Sequence, residues 1–98
     1  MKVRFSARAL AEAKRIKTWW RRNRRAAPHP FEQELKAALA RIRATPDRGI
    51  AYQPGRFEVP VRRALLPRSR HHVYYAAEQR VAVVLSVWGA QQGQDPLL

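Results

Sequence analysis

The residues of this chain whose types could do chemistry stand close together. Arg62, Arg63, Arg68 and Arg70 are followed by His71, His72, Tyr74 and Tyr75. Cleavage of RNA by its own 2′-hydroxyl needs a proton acceptor, a proton donor and cations around the phosphate. Arginine offers forked contacts to phosphate oxygens, and histidine titrates near neutrality. If the chain is a nuclease, Arg70, His72 and Arg62 are its catalytic candidates, with Tyr74, Tyr75 and Glu58 as further ones. On a strand, Arg70, His72 and Tyr74 would share one face, and His71, Val73 and Tyr75 the other. One tyrosine is then expected in the core and one exposed. No third ligand stands at metal spacing from His71-His72, so neither a metal nor a cofactor is expected.

A second basic cluster is Arg21, Arg22, Arg24 and Arg25. Such a cluster is ordinarily a solvated helix end. It is also the best landing point for a polyanion. Trp19 and Trp20, just before it, could stack on bases, but at helical spacing beside Ile16 at least one is expected in the core.

Charge supports a polyanionic or acidic partner. The 98 residues hold 20 Lys+Arg against 7 Asp+Glu, a formal +13, and most of the cations are Arg. There is no Cys, which excludes disulfides and thiolate metal sites. No apolar run approaches the roughly 20 residues of a membrane span, and the N-terminus lacks a secretory signal's apolar core. A cytoplasmic protein with no membrane contact is expected, forming one domain over residues 1–98.

The elements that must position these residues can be read in order. Lys2 to Phe5 alternates like a strand, and Ser6 is a good N-cap. Ala7 to about Arg25 is helical, with Leu10, Ala13, Ile16, Trp19 and Trp20 as its apolar stripe. Ala26 to Pro30 breaks that helix, and Pro30 opens a second. The second helix has Phe31, Leu35, Ala38, Leu39 and Ile42 on its buried side and ends at Thr45-Pro46-Asp47-Arg48-Gly49. Ile50 to Phe57, with Pro54-Gly55, reads as a loop. Val59 to Leu66 is β-rich. Arg68 to Ala76 and Val81 to Gly89 read as a hairpin whose second strand lies inside a sheet, with Trp88 packed against a helix. Residues 89–98 form an irregular tail. The order β-α-α-β-β-β predicts an α+β two-layer fold, a helical hairpin on one face of a mostly antiparallel sheet.

This order, taken with particular residues, resembles the RelE/ParE superfamily of toxins from bacterial type II toxin-antitoxin modules. The likeness rests on Val3-Arg4-Phe5-Ser6 with Ala9-Leu10-Ala11-Glu12, and on Leu39, Ile42, Pro46 and Gly49. It continues in Val61-Arg62-Arg63, Tyr74-Tyr75 and Val83 to Gly89, and covers essentially the whole chain. The resemblance implies a basic toxin held inactive by an acidic antitoxin segment. It also implies one of two targets: DNA gyrase for ParE-like members, mRNA on the ribosome for RelE-like members. RelE-like nucleases place catalytic His, Tyr, Arg or Lys at or after the last strand. Gly89 to Leu98 holds none of these, only Gln91, Gln92 and Gln94 among its longer polar residues besides Asp95. ParE-like relatives also tend to carry basic residues there, so the tail departs from both patterns. Glutamine does not move protons at neutral pH, so the departure weighs more against catalysis, and the ParE-like, gyrase-binding reading is favoured over an endoribonuclease. Arg62, Arg63, Arg68, Arg70 and the exposed member of Tyr74-Tyr75 are the expected antitoxin or target contacts.

Overall fold

The computed structural model describes residues 1–52, 59–90, 96 and 98. Strand β1 (Lys2–Phe5) leads into α1 (Ala7–Asn23) and α2 (Pro30–Ala44). A single 3-10 turn (Pro46–Arg48) precedes β2 (Ile50–Tyr52), β3 (Val61–Leu66), β4 (His71–Glu78) and β5 (Val81–Gly89). The sheet order is β1-β5-β4-β3-β2. Only β1 pairs in parallel, with β5; the other pairings are antiparallel. Two helices on one sheet give the α+β two-layer architecture. The chain order expected from the sequence is present, with one added edge strand.

That strand is β2, which lies in the stretch read as a loop. Ile50 and Tyr52 are β-formers, and they pair with Arg63 and Val61 at the sheet's edge. Three residues are too few for alternation to be seen in the sequence. Gln53 to Glu58, including Pro54-Gly55 and the candidate Glu58, lies outside the described residues, as do Gln91 to Asp95 and Leu97.

Both helices start as their sequences dictate. Ser6 Oγ accepts the Ala9 N–H at 3.0 Å, satisfying one of the helix's free donors. Pro30 occupies the opening turn of α2, where its missing N–H costs nothing. α1 lies over β5 and α2 over β3, and the helices touch each other. The core between layers holds Ala9, Ala13, Phe31, Ala38 and Ile42 from the helices against Leu66, Val73, Tyr75, Ala82, Val84 and Val87 from the sheet.

The stripe of α1 differs from expectation. Ala9, Glu12 and Ala13 are buried, and Ile16 and Trp20 pack on the core, while Leu10 is 45 % exposed and Trp19 48 %. Small residues let α1 sit close to β5, which turns the bulkier neighbours outward.

Glu12 is buried because the sheet needs it. β5 carries a bulge: Tyr75 pairs with Val84 and Tyr74 with Ser86, leaving Leu85 unmatched. The start of α1 takes up the polar groups this leaves. Ser6 Oγ donates to Leu85 O at 3.2 Å. Ser86 Oγ and the Val87 N–H donate to Glu12 Oε1 at 2.8 and 3.1 Å. Arg8, one turn earlier, lies 3.4 Å from the other carboxylate oxygen.

Candidate functional site

Directly paired residues of an antiparallel sheet share a face. Arg62, Ala64 and Leu66 pair with Tyr75, Val73 and His71, and these point toward the helices. Arg63 and Leu65 pair with Tyr74 and His72 on the opposite, helix-free face. The alternation read for residues 71–75 is therefore present. Arg70 falls outside it: it lies in the β3–β4 turn with φ 61°, before β4 begins.

The three residues named for nuclease chemistry are not brought together. Arg62 is on the helix side, His72 on the other face and Arg70 in the turn. Arg62 has a structural task. Its Nη1 donates to Gly49 O at 2.9 Å. The Gly49 N–H donates to Tyr75 Oη at 3.1 Å, and that hydroxyl donates to Pro46 O at 2.8 Å. Arg62 and Tyr75 thus fasten the 3-10 turn that follows α2 to the sheet. Burial pushes the Tyr75 phenol above its ordinary range, which suits a fixed neutral donor.

The expectation of one exposed tyrosine is corrected. Tyr74 and Tyr75 are each 1 % exposed. Tyr75 is in the core between layers. Tyr74 is buried on the other face, its ring 4.9 Å from Tyr52 and 6.0 Å from His72. The short strand β2 supplies Tyr52, so missing that strand hid the cover for Tyr74. Arg63, on the same face, lies 5.9 Å over the Tyr52 ring.

Arg68 and Arg70 are exposed in the β3–β4 turn. Glu34 of α2 holds this turn, accepting the Arg68 and Ser69 N–H groups at 2.8 Å each. Burial works to raise the Glu34 pKa, but the two backbone donors, the Ser69 side chain and the Arg68 charge outweigh it, leaving the carboxyl below its usual 4.5. His71 begins β4 beside Phe31, 5.4 Å between rings. Burial lowers its pKa, opposed by the Ser69 backbone and Glu34.

Arg21, Arg22, Arg24 and Arg25 are all exposed at and beyond the end of α1. Arg21 bonds Glu32 at 3.1 Å. Arg24 lies 5.5 Å over the exposed Trp19 ring. Trp88 is half-buried, with Arg8 of α1 5.9 Å from its ring.

Sequence reasoning missed a groove of about 520 Å³ between α1 and α2. Phe5, Leu10, Phe31, Leu35 and Leu39 supply apolar lining; Lys14, Lys17, Lys36 and Arg43 line it too, against one acid, Glu32. The signal was present. Leu10, Lys14 and Lys17 recur at helical spacing, a mixed stripe separate from Ala9-Ala13-Ile16-Trp20. Among the described residues, no group of three or more His, Asp or Glu could hold a metal, and no helix is long and apolar enough to cross a membrane.

Comparison with known proteins adds to this geometry. The family described as ParE toxin of type II toxin-antitoxin system, parDE, matches residues 3–93. A solved structure titled as the chromosomal ParDE TA system from P. aeruginosa superposes with a TM-score of 0.69. The match covers 93 % of this chain and 97 % of that one at 15 % identity, and so speaks to the fold. No curated protein matches the chain.

Proposed function

Since the chain belongs to the ParE toxin family of type II toxin-antitoxin systems, we propose that it is the toxin of such a module, restrained by a cognate acidic antitoxin, and that when free it binds and poisons DNA gyrase. The observation that carries the choice of target is the separation of Arg62, His72 and Arg70 onto two faces and a turn. Proton transfer needs its groups around one phosphate, whereas a binding poison can spread its contacts over a basic surface.

The antitoxin's place in this reading is the α1–α2 groove. An amphipathic acidic segment would lay its apolar side on Leu10, Leu35 and Leu39 and its carboxylates against Lys14, Lys17, Lys36 and Arg43. Arg63, Arg68 and Arg70 remain contacts for antitoxin or target. Expressed without an antitoxin, the chain blocks growth and leaves DNA breaks with an induced damage response. Growth arrest with intact DNA and codon-biased mRNA cuts, abolished by His72→Ala, would instead establish a ribosome-dependent endoribonuclease.

A further inference from the structure

The two arginine clusters, far apart in sequence, meet in space. A cavity of about 440 Å³ lies between the last turns of α1 and the β3–β4 turn. Arg24 reaches it from just beyond α1, and Arg68 and Arg70 from the turn. Trp19 and Trp20 form an aromatic wall, their rings 5.6 Å apart and edge to face. The nearby carboxylate, Glu34, has both oxygens occupied by the turn's backbone N–H groups. Three arginines against this one carboxylate leave the cavity electropositive.

Ser69 and His71 complete the lining, the Ser69 side chain beside the Glu34 carboxylate and the His71 ring beside the Ser69 backbone.

We propose that this cavity binds the phosphate of a nucleotide, with the base laid on Trp19. Arg24, Arg68 and Arg70 lining one cavity match an ester phosphate, which presents three oxygens to forked donors. The indole of Trp19, 48 % exposed at the rim with Arg24 over it, offers the flat surface on which a base stacks. A carboxylate would engage the charge and leave this ring unused. The nucleotide is either free or part of a nucleic-acid strand. The site is independent of whether gyrase is the target.

Tryptophan fluorescence and calorimetry of the full chain test this, with adenosine 5′-monophosphate, inorganic phosphate, adenosine and a short single-stranded oligodeoxynucleotide as probes. Arg24→Gln with Arg68→Gln removes two charges from the cavity while leaving the Glu34 backbone contacts in place. Arg22→Gln with Arg25→Gln removes two charges outside it. The monophosphate is expected to quench fluorescence and to bind better than phosphate or adenosine. The cavity pair should weaken it about tenfold or more, and the outside pair by less than about twofold. Trp19→Phe should abolish most of the quenching. An oligonucleotide that binds more tightly than the monophosphate assigns the site to a strand; the reverse order assigns it to a free nucleotide. Equal losses in the two arginine pairs, no binding of either nucleotide probe, or equal competition by a glutamate-rich peptide would overturn the proposal.

Discussion

Glu12 is one of only 7 acidic residues in the chain and, among the described residues, the most deeply buried acid, at 5 % exposure. Glu12→Ala would leave Ser86 Oγ and the Val87 N–H buried without an acceptor, costing about 2–3 kcal/mol of unfolding free energy measured in urea. Glu12→Gln keeps a carbonyl oxygen there and should lose clearly less. Gly49 is fixed by contact rather than by backbone conformation. A Cβ there would stand 2.3 Å from Tyr75 Oη and 3.0 Å from Arg62 Cβ. Gly49→Ala should therefore destabilise by about 2–3 kcal/mol. In a Tyr75→Phe background the additional loss should be smaller, because the nearest obstructing atom is gone; the double-mutant cycle measures that coupling. Acid sensitivity follows from two groups. Glu34 is held below 4.5 in the fold, so its contribution is present above that value and is lost as pH falls through it toward the folded pKa. His71 is also lowered, so stability is lost as pH falls from 6.5 toward its folded pKa. Glu34→Gln should remove the loss below about 4.5 and leave the His71-linked loss below about 6.5 in place, read as unfolding midpoint against pH.

At the scale of elements, the β4–β5 connection is the weakest local match between sequence and structure. Gln79 and Arg80 both take positive φ, 49° and 69°. This is the conformation of a tight two-residue hairpin, where Asn-Gly is the usual occupant. Gln79→Asn with Arg80→Gly should stabilise by about 1 kcal/mol. Thermal melting should then rise by several degrees. The hairpin itself was readable because apolar β-formers flank a polar gap. Its shortness was not, because Ala77 and Glu78 have no strand preference and join β4 only through pairing with Ala82 and Val81. Ser6 and Pro30 marked both helix starts, since capping and proline chemistry are local. The bulge at Leu85 was hidden in a run of mostly apolar residues; its traces were Ser86 within that run and Glu12 on a helix otherwise short of acids.

Across the whole molecule, the architecture was readable because helix and strand periods differ and because helix breakers and caps separate the elements. The surface was less so. Arg62 looked like a phosphate ligand by type, yet the half-buried Gly49 carbonyl 13 residues earlier claims it. Leu10 looked like core, yet small alanines beside it make the closer contact with β5 and leave it lining a basic groove. In both cases the competitor lies far along the chain or on another face, where residue type alone is silent. What emerges is an electropositive two-layer domain with a groove suited to an acidic segment and no converged proton-transfer set among Arg62, Arg70 and His72. Whether gyrase is the target is tested by mixing the purified chain with DNA gyrase and relaxed plasmid. Inhibited supercoiling with accumulating linear, gyrase-cleaved DNA, both reversed by the cognate antitoxin, is the predicted result. Unaltered gyrase activity at stoichiometric excess of the folded chain would contradict it.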